Sequence, residues 1–231
     1  MRLFVSGSAP LLPETLRQFR DRTGHTILER YGMTETGMNT SNPLRGERRP
    51  GTVGRALPGV ELRVVGEDRR SLPAGQVGEV QVRGPNVLAG YWRRRDAEEF
   101  TADGFFRTGD LGSLDRDGYL ALVGRSKDLV ISGGLNVYPK EIELLLDALP
   151  GVAESAVIGV PHPDFGEGVT AVLVPKPGQQ IHEAEILAAL RPHLAAFKLP
   201  KAVRVVEELP RNAMGKVLKS SLRQRFAGLY G

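Results

Sequence analysis

Cysteine is absent from this chain, so a disulfide framework and a thiolate metal site are both excluded. Histidine is scarce. His25, His162, His182 and His193 show no ligand spacing, and each reads as a surface or loop residue. Aromatic residues make up only 6% of the chain, and Lys and Arg are scattered rather than clustered. The net charge of +4 and pI near 9.5 therefore permit anionic partners without calling for nucleic acid. No apolar run approaches the roughly 20 residues that span a bilayer, and no secretory-signal pattern is visible, so a soluble cytoplasmic protein is expected. A Walker sequence is missing too. Gly215-Lys216 is followed by valine and lacks the upstream glycine spacing, so any nucleotide must be held by loops of another kind.

What is present reads as ordinary globular protein: 41% apolar and 25% charged residues over 231 positions, room for one or two domains with a real core. Residues 2–6 read as a buried strand, followed by a helix opened by Pro13 and ended by Gly24. Residues 26–28 read as a second strand leading into the polar loop 29–37. Strand, helix, strand and loop form an α/β fragment whose loop lies at the carboxyl end of a strand, where open parallel sheets bind ligands. From Pro50 the pattern alternates: Val60, Leu62 and Val64, then Val80 and Val82, with glycine-rich turns between. Residues 50–126 are expected to form a small twisted β-barrel or sheet. Beyond the stretch 124–143, a charged turn, apolar strand, Gly-Gly loop and Pro139-led helix open an α+β unit over 127–231, with helices at 139–149 and 183–197 and a short basic helix at the end.

Three clusters are able to carry chemistry. Tyr31-Gly32-Met33-Thr34-Glu35-Thr36 offers a ring to stack on a purine, a hydroxyl for a phosphate oxygen and a carboxylate for Mg²⁺, or else is a plain polar loop. Asp110, beside Gly109, is either a turn former or an acceptor for both hydroxyls of a ribose. Lys216, on a glycine-flexed turn, is either solvated and idle or a cation aimed at a developing negative charge.

The run from Gly124 to Glu143 resembles the hinge segment of the adenylate-forming superfamily of acyl-CoA synthetases, luciferases and adenylation domains. Ser6-Gly7-Ser8-Ala9-Pro10 and Tyr31–Thr36 look like that family's adenine and phosphate loops. The resemblance implies ATP, Mg²⁺ and coenzyme A. It assigns Ser8, Ala9, Pro10, Tyr31, Gly32 and Thr34 to nucleotide loops, Glu35 to the metal, and Asp110 with Arg125 to the ribose. It also has Lys216 reach the α-phosphate and substrate carboxylate, with catalysis shared by Thr34 and Glu35. The small domain then turns about Lys127, in a hinge at 124–128, to present Gly133 and Gly134 to pantetheine, with Asn136 near the CoA phosphates. In domain terms it implies the end of an α/β adenylate-binding domain at 1–49, the β-subdomain at 50–126 and a mobile C-terminal lid at 127–231.

Arg30 precedes Tyr31, where the family lines its acyl pocket, commonly with a small residue. A guanidinium there suits an acid with a second carboxylate. The run 29–43, with Ser6 and Met38 beside it, looks like that of malonyl-CoA synthetases. Malonate is thus the expected acid, with a medium-chain or aryl acid as the alternative should Arg30 face solvent or pair with Glu29. A non-catalytic nucleotide-binding or regulatory module is the reading of another class. Family members are about twice this long and carry an upstream Ser/Thr/Gly-rich phosphate loop, so the chain is expected to be a C-terminal portion with little ligase activity alone. The residues leave the oligomeric state open.

Overall fold

The computed structural model describes residues 2–7, 11, 13–93, 99–213 and 215–231. The chain divides into two compact units, Met1–Ser126 and Lys127–Gly231.

The first unit runs β1 (Val5–Ser6), α1 (Pro13–Thr23), β2 (Leu28–Met33), β3 (Gly37–Ser41), β4 (Arg55–Ala56), β5 (Glu61–Val65), β6 (Gly78–Arg83), β7 (Phe106–Leu114) and β8 (Leu120–Arg125). β1 pairs parallel with β2, and β2, β3 and β4 follow antiparallel. The polar loop expected at 29–37 is mostly strand. β2 carries on through Met33, and only Thr34–Thr36 turn before β3. Polar residues hid this strand: Glu29, Arg30 and Thr40 lie in a paired ladder that hydrophobic periodicity does not mark.

β5 to β8 form an antiparallel four-stranded sheet in sequence order. The expected small barrel is not closed: among the described residues β5 and β8 are the sheet's edge strands, β8 bonding outward only at Leu120, to the backbone of residues 53–54. The sheet instead buries Val64, Val80, Val82 and Leu120 around Tyr31 of β2.

The second unit opens with a 3₁₀ turn at Ser126–Asp128, whose first residue closes the previous unit. It continues through β9 (Val130–Ser132), β10 (Leu135–Val137), α2 (Pro139–Asp147), β11 (Val152–His162), β12 (Gly166–Pro175), α3 (Glu183–Leu190), β13 (Ala202–Val205) and α4 (Lys219–Arg225). β12 is the spine, antiparallel to β11 and parallel to β13. Its sheet is buried on both faces. Val157, Val169, Ala171 and Leu173 pack on Ile142 and Leu146 of α2 and Ile186 and Leu190 of α3. Ala156, Ile158, Val160 and Val172 pack against Leu222 of α4. Burial of both faces explains why these strands read as near-continuous apolar runs rather than alternating ones. The helix expected at 183–197 stops at Leu190. Arg191 keeps helical backbone, with φ of −52° and ψ of −40°, but Pro192 has no N–H to continue the ladder, and only a 3₁₀ turn, Ala196–Lys198, follows. Among the described residues no helix is long and apolar enough to cross a membrane.

Candidate functional site

The register of β7 and β8 sets Asp110 directly opposite Arg125. Arg125 Nε accordingly lies 3.0 Å from Asp110 Oδ1. On the other side, the Tyr31 hydroxyl donates to Asp110 Oδ2 at 2.5 Å. Gly109 makes the approach possible: its φ of +68°, next to a shift of register in β7, turns Asp110 toward Tyr31. The Asp110 N–H bonds to Thr108 Oγ1 at 3.1 Å, and Thr108 in turn donates to the Val80 carbonyl. Burial, then the Asp110 charge, hold the Tyr31 phenol far above the ordinary tyrosine range, so it stays a donor at neutral pH.

The Tyr31 residue is 7% exposed and belongs to the apolar cluster of the β-sheet valines. What the ring contributes is a hydroxyl that fixes a carboxylate. Asp110 is itself buried, with one oxygen engaged on each side, while Arg125 remains half-exposed beside it. A carboxylate has about four lone-pair sites, so two remain for further donors.

Thr34 and Glu35 form the tip of the β2–β3 turn. Thr34 is exposed and Glu35 half-buried. The turn is strapped from residues 86–91, a contact the sequence did not suggest. Asn86 Nδ2 donates to the Thr36 carbonyl at 2.6 Å, the Leu88 N–H to the Glu35 carbonyl at 2.8 Å, and the Tyr91 hydroxyl to Glu35 Oε1 at 3.1 Å. These partners lie about fifty residues along the chain, beyond any local pattern. One carboxylate with a neighbouring hydroxyl is the donor set Mg²⁺ accepts when phosphates supply the remaining oxygens. Among the described residues no group of three or more His, Asp or Glu stands ready to hold a metal by protein alone.

Gly32 carries this turn. A Cβ there would lie 2.1 Å from the Gly37 carbonyl oxygen and 2.6 Å from Met38 Cε. Gly32→Ala must push the two strands apart, and we expect it to lower unfolding stability by about 2 kcal/mol, read as the urea midpoint of the purified chain.

Alternation along β2 sends Glu29 and Tyr31 inward and Arg30 outward. Arg30 therefore does not pair with Glu29, and it makes no ion pair or side-chain hydrogen bond among the described residues. Its side chain lies across Gly7, where a Cβ would sit 3.6 Å from Arg30 Cγ. Gly32 lies on the same face, with Met38 over it. Arg30 and Met38 are thus brought to one face, whereas Ser6, in register with Glu29, is placed with the opposite one. Ser8, Ala9 and Pro10 lie outside the described residues.

Glu29 is 6% exposed, and burial pushes its carboxyl up to about 7 against a Gly51 N–H that favours the anion. An acid whose folded pKa is raised is easier to accommodate protonated. Stability is thus full below the ordinary value of 4.5, falls as pH rises to about 7, and is flat above it. The loss across that window is on the order of 3 kcal/mol. Glu29→Gln is expected to flatten the dependence and to raise the urea midpoint at pH 8 more than at pH 5.

In the second unit, Ser132 pairs with Leu135, so Gly133 and Gly134 are a two-residue hairpin turn with φ of +59° and +76°. Both central residues of such a turn need positive φ, which accounts for both glycines by backbone alone. Gly134 also faces open space, and Asn136 is exposed. Lys127 is exposed, while neighbouring Asp128 meets Arg223 Nη2 at 3.1 Å. Lys216 is exposed on a turn following Gly215, whose φ is +78°.

Residues 1–92 match the family model of AMP-binding enzymes, and residues 141–216 match that of the AMP-binding enzyme C-terminal domain. The indoleacetate–CoA ligase of Aromatoleum aromaticum is 43% identical over 98% of this chain and 45% of its own length. The malonate–CoA ligase of Arabidopsis thaliana is 42% identical over 97% of this chain and 38% of its own. The crystal structure of ATP-bound MatB from Rhodopseudomonas palustris superposes with a TM-score of 0.97 at 59% identity, covering 100% of this chain and 46% of that one. The chain spans less than half the length of these relatives.

Proposed function

The chain belongs to the AMP-binding enzymes, and from that premise we propose that it serves an AMP-forming acid–CoA ligase. The observation that carries this reading is the buried Tyr31–Asp110–Arg125 chain in the same unit as the Thr34–Glu35 turn. In this reading Asp110 accepts ribose hydroxyls, Arg125 balances its charge, and Thr34 donates to a phosphate oxygen. Glu35 holds Mg²⁺, which when bound offsets phosphate charge. Lys216 supplies the cation that stabilises charge gathering on the α-phosphate as acid oxygen attacks. The boundary at Lys127 is the pivot that exchanges Lys216 for the Gly133–Gly134 turn, where CoA sulfur displaces AMP.

For the acid we propose a short dicarboxylate, malonate first. Arg30 is exposed, is unpaired among the described residues and stands beside Met38 and Gly32, an arrangement able to meet a second carboxylate on the substrate. A monocarboxylate is the second reading, favoured by the equal similarity to an indoleacetate ligase. Acid-dependent ATP–pyrophosphate exchange with malonate, octanoate and indoleacetate separates them. Because little activity is expected of the chain alone, the assay uses it joined behind the upstream half of the Rhodopseudomonas palustris MatB: exchange with malonate alone supports the dicarboxylate, exchange with either monocarboxylate overturns it, and exchange with none of the acids removes the ligase reading.

A further inference from the structure

We infer that Glu143 and Glu154 are positioning residues for Lys216, holding the turn that carries it from both of its roots. This deepens the proposed role of Lys216 and rests on that reading.

The turn is a tight one. Arg211 and Val217 bridge across its base. The Asn212 N–H bonds to the Lys216 carbonyl, the Lys216 N–H to Asn212 Oδ1, and the Gly215 N–H to the Asn212 carbonyl, each at 2.9 Å. Such a turn on two loose strands would still wander as a body. Here each root is pinned by charge. Before the turn, Arg211 reaches Glu154 of β11 at 2.5 Å with one nitrogen, and with another donates across the turn to the Gly215 carbonyl at 2.6 Å. After it, Lys219, first residue of α4, meets Glu143 of α2 at 2.5 Å.

The two pins differ in depth. Arg211 and Glu154 are each more than two-fifths exposed, a setting in which a lone ion pair is weak. Its use is directional, since the same guanidinium grips the turn. Glu143 and Lys219 have side chains only 10% and 17% exposed. Glu143 also accepts the Val157 N–H at 3.0 Å, while Lys140 stands 3.8 Å from Glu143 and 4.0 Å from Asp147. Asp147, its carboxyl raised by burial, accepts the Ser155 hydroxyl at 2.6 Å. Two lysines and two carboxylates thus balance in one knot joining α2, β11 and the start of α4. Removing the Glu143 charge would leave a buried lysine short of a partner, and the first turn of α4 would be the part free to move.

Among the described residues the Lys216 side chain makes no ion pair, as befits a side chain that must reach a substrate. Fixing its backbone leaves fewer ways for it to miss, and misplacement by about 1 Å costs a reaction roughly 10²-fold.

The test uses Glu154→Gln and Glu143→Gln, with Glu143→Asp as the charge-retaining control. Amide exchange of the chain is followed by mass spectrometry, and the two half-reactions, acid-dependent ATP–pyrophosphate exchange and CoA capture of preformed acyl adenylate, are measured with the chain joined behind the upstream half of the Rhodopseudomonas palustris MatB. We expect amides of 212–217 to exchange at least about tenfold faster, with β11 and β12 unchanged. The adenylate-forming half should fall by about 10- to 10²-fold, CoA capture should stay within about twofold, and Glu143→Asp should recover most of the loss. Turn amides that ignore both glutamates overturn the proposal. So does loss of both half-reactions in step with lost β11 and β12 protection. An adenylation rate indifferent to Lys216→Ala sinks the ligase reading beneath it, whatever the amides do.

Discussion

Lys216→Ala is expected to slow adenylate formation by about 10²–10³-fold while leaving CoA capture of preformed acyl adenylate within a few-fold of the parent rate. As the acid oxygen attacks, negative charge builds on the α-phosphate and its bridging oxygen. A cation at that point is stronger in the transition state than in the ground state, so its loss appears in kcat more than in KM. Lys216→Arg is expected to recover only part of the rate. The guanidinium is longer and forked, whereas the turn after Gly215 presents a single point charge. The measurement is the ratio of the two half-reaction rates across wild type, alanine and arginine, each joined behind the upstream half of the Rhodopseudomonas palustris MatB. A ratio unchanged by alanine would take Lys216 out of the chemistry.

How much of this site could be read from the residues depends on how local each feature is. Lys216 and the Gly133–Gly134 turn were visible because glycine punctuates them within a few positions. The apolar runs of β11 and β12 were visible because both faces of their sheet are buried. β2 reads as strand only up to Leu28 and as loop beyond it, since its ladder carries Glu29 and Arg30 and its stability comes from pairing and from Tyr31 in the core. Tyr31 itself shows the limit most clearly. Its type suggests stacking, but the side chain's direction is set by alternation along β2. Its partner is set by a glycine seventy-eight positions away that turns Asp110 inward. Asn86 and Tyr91 act on the Thr34–Glu35 turn through contacts about fifty residues apart. The knot around Glu143 joins three elements that only folding brings together.

Arg30→Gly is expected to invert the preference among acids, cutting malonate-dependent exchange by up to about 10⁴ relative to a monocarboxylate of similar size. The argument turns on what each acid leaves unpaired. The structure shows Arg30 on the outward face of β2, across Gly7 and on the face of Gly32 and Met38, with its neighbour Glu29 turned inward. Among the described residues no carboxylate meets it, which leaves the guanidinium open to solvent or to substrate. An acid with one carboxylate commits that group to the adenylyl transfer that releases pyrophosphate, and strips water from Arg30 without replacing it, which is where discrimination of this size arises. Glycine removes the penalty and opens room beside Met38, so octanoate should gain as malonate falls. Arg30→Lys keeps the charge but not the paired contact, and its malonate rate should lie between the two. A uniform drop for all acids would instead mean that Arg30 supports the β1–β2 edge, and a selectivity unchanged by glycine would move the acid-reading group elsewhere.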